Sequence, residues 1–332
     1  LKKIVKNIFV NHGLSNNHAK VSSNYLIKAE LVGATSHGLV RLKMYCNRIK
    51  KGLINSKPKI KIKTISQSIS HIDANNAIGF VAADIGIKKA ISNAKKTGFG
   101  LVGIKNSGHY GLSSFYAEQA VKKKLMVWCF TNAPPAIAPY GSKKALFGTN
   151  PICFGTPTGK TVPFILDTSV SIINRGKIRR AEKLNIKIPA GTALDQYGKP
   201  TINAKKALKG IQLPIENFKG SGLAWMVDII SGVFTGANHG GKVKDPFNDF
   251  TGPQNVGHLF IAIKPSIFVG KKYLSRIKKN LKIVKRLPKS NKIKEILYPG
   301  ENKFANYKKN IKKGIEVPKN ILKEIYKLNA IK

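Results

Sequence analysis

Gly98-Phe99-Gly100-Leu101-Val102-Gly103 carries the letters of the dinucleotide fingerprint GxGxxG, and its reading decides the fold. In a Rossmann unit the fingerprint follows a strand and opens a helix, because the amides of that helix hold the pyrophosphate. Here the order is reversed. The stretch before it, 82–96, spaces apolar residues as an amphipathic helix does, with lysines between them, and 99–105 reads as a short buried strand running through the glycines. Gly98 then fits a helix C-cap, and the glycines beyond it fit a closely packed strand. An α/β protein without a Rossmann nucleotide loop is the expectation.

Outward from there, 15–31 has helical spacing with Ser15 as a possible N-cap, and a second helix is expected from Ser36 through Ile49. Residues 58–72 read as strand-like, with Ile60, Ile62, Ile65, Ile69 and Ile72 in loose alternation. A helix over 112–123 and a strand over 125–131 follow; 132–163 is rich in Pro and Gly and reads as loop with short strands, and a strand ends over 163–167. The apolar stretch 220–237 reads as a helix with Gly232 and Gly236 on one side for close packing. Another strand is expected over 259–264, then lysine-rich helices ending near Ile331. Strands alternate with helices, so the class is α/β or mixed, with helical segments toward the N- and C-terminal ends of the sequence. No internal repeat or low-complexity linker appears.

The chain has 332 residues, 42% of them hydrophobic, enough for a large core in two domains or one elaborate one. Its apolar runs fall short of the roughly 20 residues a bilayer span needs, Asp228 interrupting the longest. The first residues do not read as a secretory signal, which makes a cytoplasmic location the default expectation. Cys46, Cys129 and Cys153 are odd in number and widely spaced; neither a disulfide framework nor a metal site is expected. Fifty-nine Lys and Arg against fifteen Asp and Glu give a net charge of +44. A patch of that sign would suggest nucleic acid or an anionic surface. The lysines, however, run through the whole chain without interleaved aromatics, so solvated faces are preferred to a nucleic-acid groove. A basic binding protein remains the rival reading.

Three clusters and a helix start can carry chemistry. His37, Arg41 and Tyr45 would share one helix face behind Ser36; an imidazole can move a hydroxyl proton and a guanidinium can grip a carboxylate with two parallel bonds. The same spacing also fits a surface helix with an incidental histidine. His109 lies in Asn106-Ser107-Gly108-His109-Tyr110-Gly111, between a strand end and a helix start, where it can be a second acid/base, a cofactor contact or simply a turn residue. Gly148-Thr149-Asn150-Pro151 is followed after a strand by Leu166-Asp167-Thr168-Ser169, whose aspartate can orient an imidazole, accept from a ribose or end the strand in an Asx turn. Lys219-Gly220-Ser221-Gly222 offers a lysine and bare amides at a helix N-terminus, a phosphate cradle without the full P-loop pattern.

Taken together, SHGLVR (36–41), SGHYG (107–111), TNAPPAIAPYG (131–141) with FGTNP (147–151), LDTSVS (166–171) with RGKI (175–178), DQYGKPT (195–201), KGSGLAWMVDIISG (219–232) and NVGHLFIAIKP (255–265) resemble the malate/L-lactate dehydrogenase-like oxidoreductases over roughly residues 10 to 320. The resemblance implies a homodimer with a non-Rossmann nicotinamide-binding fold, NAD or NADP as cofactor, and a small 2-hydroxy, 2-keto or 2-imino carboxylic acid as substrate. It implies His37 or His109 as acid/base, Arg41 for the substrate carboxylate, Asp167 beside cofactor and histidine, Thr168 and Ser169 lining the cofactor, and Lys219 touching it. The full expected set is Ser36, Arg41, Tyr45, Thr149 and Asn150 for substrate, and His109, Asn132, Asp167, Thr168, Ser169, Lys219, Gly220 and Ser221 for cofactor, with no metal. Thr168-Ser169 replaces the family's frequent Met-Ala or Met-Ser, and Ser142 stands where a second glycine is common. A discontinuous domain of 1–70 plus 255–332 is expected to carry substrate and dimer contacts, and 71–254 the cofactor.

Overall fold

Gly98 closes a helix in the left-handed conformation (φ +87°) and Gly100 lies within a strand, as the reversed order around the fingerprint requires. The computed structural model describes residues 1–330. Its main sheet contains β1 (Lys61–Thr64), β2 (Ile69–Asp73), β3 (Phe99–Ser107), β4 (Met126–Thr131), β5 (Ile152–Thr156) and β6 (Phe164–Thr168). A small ribbon pairs β7 (Ala193–Leu194) with β8 (Ile211–Gln212), and β9 (Val256–Ile263) returns to the main sheet. The spatial order is β1-β2-β3-β9-β4-β5-β6; only β2 and β3 run parallel, and every other neighbouring pair is antiparallel. The doubly wound order of a Rossmann sheet is absent from it.

The helices in chain order are α1 (Lys2–Asn11), α2 (Asn16–Leu31), α3 (Leu42–Lys50), α4 (Gly79–Thr97), α5 (Ser114–Lys122), α6 (Arg175–Lys183), α7 (Ala204–Lys209), α8 (Phe218–Asp228), α9 (Ser266–Val269), α10 (Tyr273–Arg286), α11 (Glu301–Lys313) and α12 (Lys319–Asn329). The expected end near Ile331 lies outside the described residues. Ser15 does cap α2, accepting from the His18 amide at 3.3 Å.

α4 sits closely on the sheet because both surfaces are cut down. Ala82, Ala83, Gly86, Ala90 and Ala94 are buried on the helix, and a side chain on Gly100 would meet the Ala90 carbonyl oxygen at 2.2 Å. Val102, Ile104 and Phe260 fill the same interface, all fully buried. The opposite sheet face takes α8, which continues through a π-helical turn (Ile229–Val233), so the long apolar helix expected over 220–237 is shorter and ends in a wider coil. There Gly257 lies so near the Ser231 carbonyl that no side chain fits. At the chain ends, α1 buries Val5, Ile8 and Phe9 at the i, i+3, i+4 spacing of one stripe, within the same core as Ile321, Ile325 and Leu328 of α12.

Two expected elements differ. The helix from Ser36 begins only at Leu42; before it come two 3₁₀ turns, Thr35–His37 and Leu39–Arg41. Between them Gly38 is extended (φ −98°, ψ −137°), and the buried Glu30 Oε1 accepts the Leu39 amide at 2.7 Å, supplying the acceptor that a continuous helix would have supplied. The strand-like stretch 58–72 is a hairpin, turned where Ser66 Oγ accepts the amides of Ser68 and Ile69. Its outer strand β1 is exposed throughout, and Lys61 and Lys63 blunt the sheet edge.

The glycines of the fingerprint give a test of their role. Gly100→Ala is expected to destabilise the fold by about 3 kcal/mol or more, since its neighbour is helix backbone; Gly103→Ala, which meets the Thr235 methyl at 3.2 Å, should cost about 1 kcal/mol or less. Urea unfolding of both variants measures this. Unchanged stability with loss of nucleotide binding in Gly100→Ala would restore the phosphate-loop reading.

Candidate active site

The two 3₁₀ turns present Ser36, His37 and Arg41 to one space. Ser36 Oγ and His37 Nδ1 share a hydrogen bond of 3.0 Å, and Arg41 Nε donates to the Ser36 carbonyl at 2.7 Å, which ties the guanidinium back onto the histidine turn. Tyr45, in the first turn of α3, is buried, and its hydroxyl shares a 2.6 Å hydrogen bond with His109 Nδ1. The His37 and His109 rings stack at 5.8 Å between centroids with an interplanar angle of 21°. His109 is held from behind by Gln254, whose Oε1 accepts its amide at 3.2 Å. Residues 64 apart in sequence thus meet through the Tyr45 hydroxyl. Both imidazoles commit Nδ1 to a hydroxyl and leave Nε2 for other work.

The electrostatics follow from crowding. Burial, then the Arg41 guanidinium, pushes His37 down to about 3; Asp167 pulls it up in part and Lys303 opposes that pull. Burial, then Arg41 and His37, holds His109 well below the ordinary histidine value. Both rings are neutral at physiological pH, and a neutral imidazole can accept a proton directly. Burial pushes the Tyr45 phenol up, so it stays protonated.

Asp167 stands at the end of β6, and its buried carboxylate accepts from the Ser114 amide at 3.0 Å and from Lys303 Nζ at 3.1 Å. Burial alone would raise this acid; Lys303 and the Ser114 bonds outweigh burial and hold it below the usual carboxylate range. Among the described residues it bonds to neither imidazole, although its charge reaches His37. The next residues, Thr168 and Ser169, lead into a loop where the Val170 amide donates to the Thr149 carbonyl at 3.1 Å and the Ile215 amide to the Val170 carbonyl at 2.9 Å. The strand β6 therefore joins the imidazole side to the loops around α8.

At α8, Lys219 and Gly222 are exposed in the first turns, Asn217 at the N-cap has φ +46° and offers no side-chain cap, and a side chain on Gly222 would meet nothing within 4 Å. Uncapped amides with a free lysine suit a phosphate-bearing ligand, and the donor set here fits a dinucleotide cofactor. Gly220 packs against the Ile215 carbonyl, and Ser221 Oγ accepts the Tyr140 amide at 2.9 Å, holding the 132–150 loop over the helix. Asn132 and Asn150 turn inward. Asn150 bridges the Ala133 amide (3.0 Å) and the Ala224 carbonyl (2.7 Å); Asn132 bridges the Asn238 carbonyl (2.6 Å) and the Gly257 amide (3.0 Å). Their amides brace loops. Cys46, Cys129 and Cys153 are free and buried, and no cluster of metal-ligating residues occurs among the described residues.

Four groups escaped sequence reading. Glu30 shapes the Gly38 turn, where any side chain would strike its carboxylate. Lys303 reaches Asp167 from a helix 136 residues later. Gln254 supports His109. Arg179 on α6 lies over the Phe247 ring at 3.9 Å, a ring that Arg41 also approaches at 5.5 Å. A buried acid among lysines was the available signal for Glu30; Lys303 had none, being one lysine among many.

Known proteins place this arrangement. The malate/L-lactate dehydrogenase family profile matches residues 1–326. A malate/(S)-sulfolactate dehydrogenase of Methanothermus fervidus is 37% identical over 317 residues, covering 94% of this chain and 91% of that relative. The NAD(+) ureidoglycolate dehydrogenase of Escherichia coli strain K12 is 31% identical, covering 96% and 90%. The solved structure of sulfolactate dehydrogenase from Methanocaldococcus jannaschii superposes with a TM-score of 0.91 at 36% identity, covering 98% of this chain and 94% of that one. Because the match runs from the histidine turn to the helix that carries Lys303, with the non-Rossmann sheet between them, the chain belongs to the malate/L-lactate dehydrogenase family.

Proposed function

We propose that this protein is an NAD- or NADP-dependent dehydrogenase that interconverts a small 2-hydroxy carboxylic acid and its 2-keto (or 2-imino) partner. The observation that carries the reading is the meeting of two neutral stacked imidazoles with a guanidinium tied to the same turn. Arg41 holds the C1 carboxylate, which sets C2 and its hydroxyl against the Nε2 atoms of His37 and His109. One of these atoms takes the hydroxyl proton in oxidation and returns it in reduction; Ser36 and Tyr45 fix the ring orientations from the far side. A bound carboxylate offsets the Arg41 charge that depresses both imidazoles, which favours the protonated ring only once substrate is present. Asp167, with Lys303 beside it, places a fixed negative group near His37. A bound nicotinamide would supply or accept the hydride. Lys219 and the uncapped amides of α8 would hold its phosphates, and Thr168 and Ser169 would line the cofactor.

Further parts of this reading concern location and assembly. The helix α8 exposes Trp225 and Met226, and Ile229, Val233 and Phe234 follow in and after the π-helical turn, an apolar face that supports a homodimer. Buried free thiols support a reducing, cytoplasmic setting, and no described helix is long and apolar enough to cross a membrane. The division into 1–70 plus 255–332 for substrate and dimer contacts and 71–254 for the cofactor stays a proposal about roles, since β9 lies in the shared sheet. The rival reading as a basic binding protein gains no support from the family match, and the dense lysines of α10, such as Lys278, Lys279 and Lys282, are exposed on an ordinary helix.

Replacement of His37 and His109 separately by Asn, with turnover followed at the reduced-nicotinamide absorbance under saturating cofactor, is expected to lower kcat by about 10²- to 10⁴-fold for whichever ring moves the proton. Near-parental rates in both would remove the acid/base role. Arg41→Lys should raise KM by about tenfold or more through loss of the two-pronged grip. Trp225→Glu is expected to shift sedimentation toward a monomer; an unchanged sedimentation coefficient would place any dimer contact elsewhere.

A further inference from the structure

We propose that His258 is a positioning residue for His109: one buried ring holds the chain on both sides of that histidine and so fixes where its imidazole stands. The proposal rests on the dehydrogenase reading above for the part His109 plays. His258 lies on the strand β9, opposite Ile104 of β3 and Thr131 of β4, and is fully buried. The approach to His109 begins with a bulge. β3 and β9 pair Ile104 with His258 and Ser107 with Val256, which leaves Lys105 and Asn106 facing Gly257 alone, and Asn106 takes a φ of +53°. A bulge bends the strand that carries it, so the direction in which Ser107, Gly108 and His109 leave the sheet depends on what holds the residues beyond it.

His258 supplies two of those holds. Its Nε2 and the Ser107 Oγ share a hydrogen bond of 2.8 Å, two residues before His109. Its ring lies flat on that of Tyr110, one residue after His109, at 4.5 Å between centroids and 5° between planes. Tyr110 is tied down further, its hydroxyl sharing a 2.7 Å bond with Ser113 Oγ and its carbonyl accepting from the Tyr116 hydroxyl at 2.6 Å. On its other side His258 Nδ1 shares a 2.8 Å bond with Thr131 Oγ1, so the anchor is itself pinned to β4. A neutral imidazole has one donor and one acceptor, and the two hydroxyls satisfy both. Burial keeps the ring in that neutral form, pushing it down to about 3 against a partial upward pull from the Gly108 backbone. A leucine or phenylalanine in this place would fill space but leave the buried Ser107 hydroxyl without this partner. Gln254 holds the His109 amide and Tyr45 its Nδ1; His258 holds the residues between which that histidine hangs.

The test compares His258→Gln and Ser107→Ala with the parent, each alone and combined with His109→Asn. Thermal unfolding of each variant confirms folding, and Ser107→Ala, which removes one oxygen, carries the test should His258→Gln not fold. Both are expected to lower kcat by about tenfold to a hundredfold on an acid the parent turns over, and to leave KM within about threefold because Arg41 is untouched. In the His109→Asn background the same changes should cost under about threefold more, the non-additivity of residues that act through one another. A second readout needs no turnover. The His109 imidazole ¹⁵N shifts, assigned by their loss in His109→Asn, should be those of one fixed tautomer in the parent and should move toward each other in both variants as the ring is freed. Parental kcat in both variants, or equal losses with and without His109, overturns the proposal while the dehydrogenase reading stands. Unchanged ¹⁵N shifts in both variants overturn it whatever the rates. A parent that turns over no 2-hydroxy acid ends the dehydrogenase reading and leaves the shifts to decide, moved shifts keeping the positioning role.

Discussion

Three groups able to carry positive charge, His37, His109 and Arg41, share one buried space, and the site depends on only the guanidinium being charged. A guanidinium does not give up its proton in proteins, so the imidazoles yield, first to burial and then to the Arg41 charge. His37 falls to about 3 and His109 also lies far below the ordinary histidine value. The carboxylate that could have reversed this, Asp167, is matched by Lys303 and the Ser114 amide. The result is one lasting positive charge with two neutral imidazoles beside it. An anion bound as proposed would offset the Arg41 share of the shift, the smaller share after burial.

The fold exists to hold these parts in register without a nucleotide-binding βα loop. A central strand from the last third of the chain, β9, lies between β3 and β4 and brings Gln254 and the 237–254 loop against His109. Small residues on α4 and Gly100 on β3 close one face; the π-turn after α8 closes the other. The histidine turn is kept out of helix by Gly38 and by Glu30, which accepts the Leu39 amide. Glu30 itself shows the cost, since burial raises its carboxyl to about 7. Its folded-state pKa lies above the unfolded value, so its contribution to stability declines as pH rises from about 4.5 to 7.

Much of this was legible in residues alone. The order of elements around Gly98 and Gly100 was enough to reject the nucleotide fingerprint, because turn and packing glycines follow local rules. The motifs around His37 and His109 were legible as local signals, and the structure brings those two rings together at 5.8 Å between centroids. What stayed hidden was long-range. The expected continuous helix from Ser36 failed because the acceptor that competes with it comes from Glu30, on another helix. Arg179, Phe247 and Lys303 reach the site across distances that periodicity cannot see, and in a chain of net charge +44 a functional lysine or arginine has no compositional contrast. Asn132 and Asn150, expected at cofactor and substrate, turn their amides to neighbouring backbone, a matter of side-chain direction that spacing does not encode.

The neutrality of His37 can be measured directly. Imidazole ¹⁵N shifts titrated by NMR, with His37 assigned by its loss in His37→Gln, should show a ring that stays neutral from pH 8 down to pH 5 in the free protein and whose apparent pKa rises when a small 2-hydroxy acid anion is added. A His37 that titrates near its ordinary value of 6.5 and ignores that anion would contradict the account.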